Sequence, residues 1–340
     1  MTELRSLILR LTEDCNLNCE YCYADAAPGG ERMTPETACR AIGLACPPGG
    51  RLRIQFTGGE PLLAWETIAA AAEFGRRTGR RLSMSIQTNG VLLTSERCMT
   101  LMALPCAVGV SLDGPGTLNG CRRLLDGAPS YETAMAGIRR LGAAGGRCNL
   151  TAVVTSRNAE RLDLLADLAL TLGNVRGVGL DLFRPLGRGT GAELAPDPAA
   201  LRWGLQALIK KTLALEQAGV PFHLRELDRW RSRRKSGGGS VYCYAQTDHS
   251  LAMDARGDLW PCSSLAGLAD FRLGNLQEGL LPALEQSRDA LKAPAACVSC
   301  SRFSLCGGGC PAGRLGDRPA PLTCVMQEVI SEIMTGDESQ

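Results

Sequence analysis

The sequence predicts an α/β fold in which helices pack outside a parallel sheet, followed by a small irregular C-terminal module. Two observations predict this architecture. Six short β-rich runs alternate with amphipathic segments of helical periodicity, which is the order expected of strands joined by helical crossovers. Beyond residue 240 the periodicity fades and Cys, Gly and Pro become frequent, as in a module held by metal rather than by an apolar core.

Each predicted element follows from a local pattern. The predicted strands are "SLILRLT" (6–12), "LRIQFTG" (52–58), "LSMSIQTNG" (82–90), "AVGVSLDG" (107–114), "CNLTAVVTS" (148–156) and "VGLDLFRPL" (178–186). Helices are predicted near 34–46, 64–78, 94–103, 131–144, 158–172 and 197–218. Three of them are expected to end at Gly79, Gly145 and Gly173, because glycine readily adopts the left-handed conformation of a C-terminal cap. The stretch "RWRSRRKSGGGS" (229–240) predicts an exposed, basic, glycine-rich linker.

Length and charge limit the class of protein. The chain has 340 residues, of which 45% are hydrophobic, enough for one large domain or for a large and a small one. Its 37 basic and 35 acidic residues nearly balance, so nothing indicates a nucleic-acid or membrane-surface partner. No signal peptide is recognisable, and no apolar run approaches the roughly 20 residues of a membrane span. We therefore expect a cytoplasmic protein with no nucleic-acid or membrane partner.

The chain contains 16 cysteines, far more than a reducing compartment would hold as disulfides. Ten of them form a front group and a rear group, which points to metal ligation. They are Cys15, Cys19, Cys22, Cys243, Cys262, Cys297, Cys300, Cys306, Cys310 and Cys324. The six scattered cysteines are predicted to be small buried hydrophobic residues. They are Cys39, Cys46, Cys98, Cys106, Cys121 and Cys148.

The front group follows the first predicted strand, and in barrel-like α/β folds the C-terminal ends of the strands carry the site. A structural zinc usually has four ligands, whereas Cys15, Cys19 and Cys22 have no fourth thiol nearby in the sequence. Three thiolates suit a four-iron cluster with one iron left open. The front group is therefore predicted to bind a 4Fe-4S cluster.

The spacing C-x3-C-x2-C, with the aromatic Tyr21 before the third cysteine, resembles the signature of the radical S-adenosylmethionine (SAM) enzymes. The resemblance implies that the amine and carboxylate of SAM chelate the open iron. It also implies that one-electron reduction cleaves SAM to a 5′-deoxyadenosyl radical.

Three further motifs lie at the C-terminal ends of the second, third and fourth predicted strands, where this family binds SAM. They are "TGGEP" (57–61), "QTNG" (87–90) and "SLDGP" (111–115). Glycine lets backbone approach a ligand closely, and a glutamate accepts hydrogen bonds from an ammonium, as expected where the amine of SAM is held. The residues that the resemblance assigns to SAM binding are Tyr21, Gly58, Gly59, Glu60, Gln87, Asn89, Ser111 and Asp113.

The rear cysteines resemble the seven-cysteine pattern of a SPASM domain, which in this family holds two auxiliary iron–sulfur clusters. The resemblance implies an outer cluster on Cys297, Cys300, Cys306 and Cys324, and an inner one on Cys243, Cys262 and Cys310. The implied fold is a partial (β/α)6 TIM-like barrel at 1–228, a linker at 229–240 and an irregular SPASM domain at 241–340. Paired zinc sites remain the alternative for the rear half.

The inner cluster is one ligand short in this pattern. His249 lies six residues beyond Cys243, and imidazole does ligate iron–sulfur clusters. The alternatives are a substrate ligand or an iron left open.

Two positions differ from the sulfatase maturases of this family. Those enzymes carry an aspartate, proposed as the catalytic base, directly after the cysteine corresponding to Cys262, where this chain has Ser263. They usually read His-Asp where this chain reads Asn119-Gly120, although Arg123 resembles the next motif residue. These differences favour the wider peptide-modifying subfamily over sulfatase maturation, and they leave the catalytic base unassigned.

The resemblance implies an enzyme that oxidises or cross-links a side chain of a ribosomally made peptide or protein, with the auxiliary clusters taking up the electron. Its expected partners are this substrate, a flavodoxin- or ferredoxin-like electron donor, and a separate leader-peptide-binding protein if a leader is recognised. Two alternatives keep the radical chemistry: a small-molecule substrate, or formylglycine formation. An alternative of another class is a non-catalytic iron–sulfur electron carrier or a zinc-held binding module, which would have no use for the "TGGEP" turn.

Overall fold

The computed structural model describes residues 4–191, 193–280, 289–314 and 318–336. The strands, numbered along the chain, are β1 Ser6–Thr12, β2 Arg51–Gly58, β3 Arg81–Thr88, β4 Cys106–Ser111, β5 Cys148–Val154, β6 Val175–Leu182, β7 His223–Leu224, β8 Ser250–Met253, β9 Asp258–Trp260, β10 Gly274–Asn275 and β11 Gly279–Leu280. The helices are α1 Pro35–Ala45, α2 Trp65–Arg77, α3 Ser95–Ala103, α4 Tyr131–Ala143, α5 Leu164–Leu172, α6 Pro198–Gln217, α7 Arg225–Lys235, α8 Ala295–Val298, α9 Phe303–Cys306, α10 Pro311–Arg314 and α11 Pro321–Thr335.

The first six strands form the predicted parallel sheet. β1 to β6 lie side by side in chain order, and every neighbouring pair is parallel. One of the helices α1 to α5 lies between each strand and the next, as the crossover between parallel neighbours requires. The predicted α/β fold with a partial (β/α)6 barrel is therefore confirmed, and it brings the C-terminal ends of six strands to one edge.

The rear part of the chain extends this same sheet, which the sequence patterns do not predict. β8 pairs in parallel with β1, with Ser6 opposite Ser250. β9, β10 and β11 continue from β8 as antiparallel strands. These strands are two to four residues long, too short to show a clear alternation of apolar and polar residues. The domain boundary at residue 240 stays a prediction.

The core lies between the sheet and the outer helices. Large side chains from β1 and β2, including Leu9, Leu11, Ile54 and Phe56, are almost completely buried there. The long helix α6 packs against α11, where Arg202 forms ion pairs with two glutamates of α11. Among the residues that the structure describes, no helix is both long and apolar enough to cross a membrane.

The predicted linker at 229–240 is wrong over its first part, because α7 continues to Lys235. Trp230 on this helix is only 3% exposed and packs in the core. Arg233 donates hydrogen bonds to the carbonyls of Leu305, Val241 and Tyr242, which ties the helix to the rear segment. Because basic residues surround Trp230 in the sequence, the buried face of this helix is not recognisable from the sequence pattern.

Candidate active site

A cavity of about 340 Å3, here called the front cavity, opens at the C-terminal edge of the parallel strands. The loop after β1 forms one wall, and residues at or near the C-terminal ends of β2 to β6 form much of the rest. Side chains at these strand ends converge because neighbouring parallel strands finish at the same edge of the sheet. Nine of the predicted site residues in the first half of the chain line this cavity: Cys15, Cys19, Tyr21, Cys22, Gly58, Gly59, Gln87, Asn89 and Ser111.

The three front thiols lie in one loop whose shape is fixed by backbone contacts. Leu17 donates its backbone N–H to Cys15 Sγ at 3.4 Å. The segment after β6 packs against the same loop. Arg188 Nε donates to the Cys19 carbonyl at 3.0 Å, and a Cβ on Gly187 would lie 2.4 Å from the Cys22 carbonyl oxygen. The cysteine loop is therefore held by residues far away in the sequence.

The three thiols suit an iron–sulfur cluster as a donor set. None of them forms a disulfide, and all three face the front cavity. Burial raises the pKa of Cys15 to about 11 and that of Cys19 to about 12, so both are protonated at neutral pH until a cation binds them. No His, Cys, Asp or Glu group of three or more within the described residues is arranged to hold a single metal ion. Three thiols beside an open cavity match a four-iron cluster that leaves one iron free.

The turn after β2 needs its glycines because it packs directly against the loop after β1. A Cβ on Gly58 would lie 2.4 Å from the Thr12 carbonyl oxygen, and one on Gly59 would lie 2.1 Å from that of Asp14. Gly59 N–H donates to the Thr12 carbonyl at 2.7 Å. Any side chain at either position would push the two loops apart.

Glu60 does not line the front cavity, although we predicted it as an acceptor for the amine of SAM. Its side chain is fully buried behind the wall. One carboxylate oxygen accepts from Leu62 N–H at 3.0 Å and from Thr88 Oγ1 at 2.7 Å, and the other accepts from Asn89 N–H at 2.8 Å. Burial raises the pKa of Glu60 although these hydrogen bonds oppose the shift. Glu60 thus joins the ends of β2 and β3 beneath the cavity.

Replacing Glu60 by alanine is expected to lower the affinity for SAM roughly tenfold or more. Three buried donors lose their acceptor, and each unsatisfied donor costs about 1–3 kcal/mol, so the turn at Gly59 and the backbone at Asn89 should shift. Equilibrium SAM binding and thermal unfolding measure the two effects. Glu73→Ala is the matched control because Glu73 forms only an exposed pair with Arg76. Unchanged SAM affinity in the Glu60→Ala protein would contradict this role.

Asp113 also lies behind the wall, where it forms a buried network with Tyr21 and Arg122. The Tyr21 hydroxyl donates to Asp113 Oδ2, and Arg122 Nη1 donates to the Tyr21 hydroxyl at 2.7 Å. Val153 N–H donates to Asp113 Oδ1 at 2.9 Å. Of the three side chains, Tyr21 and Arg122 reach the front cavity and Asp113 does not.

Arg122 is a cavity residue that the sequence did not reveal. It is 7% exposed and places a cation in the wall close to the thiols of Cys15 and Cys19. Arg123, which we compared with a family motif, instead faces outward, where it contacts Glu20 and the Gly127 carbonyl. The two adjacent arginines differ only in the direction that the loop after β4 gives them, and no spacing rule distinguishes them.

Polar side chains at the ends of β3 and β4 complete the front cavity. Gln87 Nε2 donates to Ser111 Oγ at 2.9 Å, and Thr151 Oγ1 donates to Gln87 Oε1 at 3.3 Å. Asn89 Nδ2 donates to Asn16 Oδ1 at 2.8 Å, which connects this wall with the cysteine loop. The cavity therefore offers hydroxyl and amide groups on one side and thiols on the other.

A second cavity of about 780 Å3, here called the rear cavity, adjoins the front one. Six residues line both: Asp181, Leu182, Arg184, Arg225, Cys262 and Ser264. Cys243 and Cys310 line the rear cavity together with Cys262. Burial, together with the neighbouring Cys310 and Cys243, raises the pKa of Cys262 to about 12. The structure thus brings these three thiols together.

The other four rear cysteines form a separate group. Burial raises the pKa of Cys324, and so does the proximity of Cys306, Cys297 and Cys300. Burial and the proximity of Cys297 likewise raise the pKa of Cys306. The seven rear cysteines are therefore divided in space as the family pattern implies, while their role as ligands stays a prediction.

Two further residues from the sequence analysis have clear positions. His249 lines neither cavity, and its carbonyl accepts from the N–H groups of Arg5 and Ser6 beside the start of β1. Its role as a fourth ligand of the inner cluster stays a prediction. Ser263 lines the front cavity, and its hydroxyl lies 3.1 Å from that of Tyr23.

The fold and the front cavity together define a radical SAM domain. Residues 9–169 match the model of the Radical SAM superfamily, and this segment contains the three front cysteines, the second half of β1 and the strands β2 to β5. The chain therefore carries a radical SAM domain, for which a 4Fe-4S cluster and SAM are the cofactors.

Relatives with known names extend the similarity to most of the chain. The serine-type anaerobic sulfatase-maturating enzyme of Klebsiella aerogenes is 28% identical over 88% of this chain and 77% of its own length. The mycofactocin maturase MftC of Mycobacterium tuberculosis is 28% identical over 91% of this chain and 78% of its own. The solved structure of native anSMEcpe with bound AdoMet has the same fold, with a TM-score of 0.84 at 21% identity, covering 98% of this chain and 97% of that one.

Proposed function

We propose that this protein is a radical SAM maturase of the SPASM type, which oxidises or cross-links a side chain of a ribosomally made peptide or protein. The observation that carries the proposal is the shared wall between two cavities, one containing three front thiols and the other three rear thiols. A substrate in this space would contact both groups. The names of the two relatives, a sulfatase-maturating enzyme and a mycofactocin maturase, support a peptide or protein substrate.

The residues have distinct tasks in this proposal. Cys15, Cys19 and Cys22 hold the SAM-binding cluster, which together with SAM supplies a 5′-deoxyadenosyl radical. The Gly58–Gly59 turn, Gln87, Asn89 and Ser111 bind SAM. Arg122 provides a cation for its carboxylate, and Asp113 orients Tyr21 and Arg122 from behind. Glu60 supports the turn in the same indirect way.

The rear cysteines would hold two auxiliary clusters that serve as electron acceptors. Cys243, Cys262 and Cys310 are the proposed inner ligands, and their position on the rear cavity supports this assignment. Cys297, Cys300, Cys306 and Cys324 are the proposed outer ligands. The remaining partners in the proposal are a flavodoxin- or ferredoxin-like electron donor and, if the substrate has a leader, a separate leader-binding protein.

Formylglycine formation is the second candidate because of the sulfatase-maturating relative. Ser263 stands where those enzymes have the proposed basic aspartate, and its hydroxyl faces Tyr23. A serine hydroxyl is a much weaker base than a carboxylate, so this position favours another oxidation.

Anaerobic reconstitution tests the proposal directly. Ten cysteines serving three four-iron clusters should hold about twelve irons and as many sulfides, without stoichiometric zinc. Addition of SAM and a reductant should yield 5′-deoxyadenosine. Protein that binds about two zincs and little iron would overturn the cluster assignment, whereas iron-loaded protein that does not bind SAM would indicate an electron carrier.

A further inference from the structure

The charged residues of the rear cavity are mostly cations. Among its described lining residues, Arg184, Arg225 and Arg229 face a single carboxylate, that of Asp181. Although burial opposes ionisation, Arg225 and Arg184 hold the pKa of Asp181 below its ordinary value. Asp181 therefore remains charged, and the described charged side chains of the cavity sum to two positive charges.

Two of these three arginines make contacts with other residues of the protein. Arg225 donates to Glu226 Oε1 at 2.8 Å and to Asp181 Oδ1 at 3.0 Å, and it also bonds the Leu180 carbonyl. Arg229 lies over the ring of Tyr242, with its guanidinium carbon 5.1 Å from the ring centre. Arg225 therefore has few donors left for a ligand, and Arg229 does not line the front cavity.

Arg184 is different. It follows the C-terminal end of β6, lines both cavities, and bonds the Cys310 thiol. It forms no ion pair within 4.0 Å with any carboxylate of the described residues, and Asp181 and Tyr23 act on it only electrostatically. A guanidinium presents a planar fork of donors that matches a carboxylate.

Many of the other residues that line the rear cavity are apolar. Phe183, Pro185, Pro198, Leu322 and Met326 are among them, from the segment after β6 and from α6 and α11. A cavity lined by apolar side chains and by an excess of cations fits a ligand that combines an apolar body with an anionic group.

We propose that Arg184 anchors a carboxylate of the substrate, and this inference rests on the function proposed above. The carboxylate belongs to an acidic side chain or to the C-terminus of a peptide, and the same fork recognises either. Because Arg184 lines both cavities, a carboxylate bound to it places the neighbouring substrate atoms between the front thiols and the wall of Cys243, Cys262 and Cys310. Arg184 is thus a positioning residue that selects acidic or C-terminal sites.

A randomised pool of five-residue peptides, prepared with either a free or an amidated C-terminus, tests this inference. The pool is equilibrated with anaerobically reconstituted protein and SAM, and retained peptides are separated by ultrafiltration and sequenced by mass spectrometry. Wild-type protein should retain carboxylate-bearing peptides about tenfold better than their neutral counterparts. Enrichment of Asp and Glu over Asn and Gln among amidated peptides identifies a side chain. Enrichment of free over amidated termini identifies the C-terminus.

Variants separate an anchor for substrate from a residue that only adjusts a cluster. Arg184→Gln should abolish the preference for carboxylates, and Arg184→Lys should restore part of it through charge without the fork. Arg231→Gln is the matched control, since Arg231 pairs with Glu216 on the surface and lines neither cavity. Iron content and 5′-deoxyadenosine formation, measured on the same samples, report separately on the proposed function.

Three results would overturn the inference. One is that wild-type protein retains no peptide, or retains acidic and neutral peptides equally. Another is that Arg184→Gln keeps the full preference for carboxylates. The third is that Arg184→Gln changes the reduction potential of an auxiliary cluster while the preference for carboxylates stays intact. Arg184 would then act on the cluster through its hydrogen bond to Cys310 and not on the substrate.

Discussion

Simultaneous replacement of Cys15, Cys19 and Cys22 by alanine is expected to abolish 5′-deoxyadenosine formation and to leave about eight of about twelve irons in place. Cys15, Cys19 and Cys22 are the cysteines of the front loop that line the front cavity. Without them this loop offers no thiol to a cluster. The seven rear cysteines lie in two other groups and should keep their clusters. Iron analysis and chromatographic assay of 5′-deoxyadenosine measure the two effects.

The matched control carries alanine at Cys39 and Cys106, which lie on α1 and β4 and line neither cavity. It should retain all of its iron and its SAM cleavage. If the front triple variant still cleaved SAM, or lost all of its iron, the separation into front and rear sites would be incorrect.

Replacement of Cys310 by alanine is expected to abolish product formation on a peptide substrate while SAM cleavage continues at a comparable rate. Cys310 lines only the rear cavity, so its loss should leave the front cavity intact. The test compares 5′-deoxyadenosine with the mass change of the peptide in the same reaction. In the wild type, 5′-deoxyadenosine and modified peptide should accumulate together. In the variant, only 5′-deoxyadenosine should accumulate.

Cys106→Ala serves as the control for this experiment, because Cys106 lies in the barrel outside both cavities. A Cys310→Ala protein that modifies its peptide normally would show that the inner group of thiols is not needed for the oxidation. A variant that loses both activities would instead point to a general loss of structure, which thermal unfolding would detect.

The sequence predicted those parts of the molecule that depend on local patterns. The parallel strands follow from runs of apolar and β-branched residues, and the cysteine groups follow from their spacing. Gly58 and Gly59 were predicted as positions where the backbone comes close to SAM. The structure adds a second reason for glycine there, because the backbone at the end of β1 and in the loop after it occupies the space that a side chain would need.

Contacts between distant segments were not predictable in the same way. Glu60 and Asp113 were expected to bind SAM, and that role stays a prediction. The structure adds that hydrogen bonds to β3, β5 and the loop after β1 hold both side chains behind the wall. Arg122 and Arg184 enter the cavities because of the direction in which their loops leave β4 and β6. A single charged residue after a strand has no pattern that distinguishes a cavity position from a surface position.

The pairing of β1 with β8 has a consequence for biogenesis. Ser6 emerges from the ribosome first, and its neighbour in the sheet, Ser250, emerges after most of the chain has been translated. Until then one edge of β1 has no strand beside it, and an unpaired edge is a template for aggregation. The cysteine loop that follows β1 is also contacted by Gly187 and Arg188, which arrive late. The front loop can therefore reach the shape described here only after more than half of the 340 residues have been synthesised.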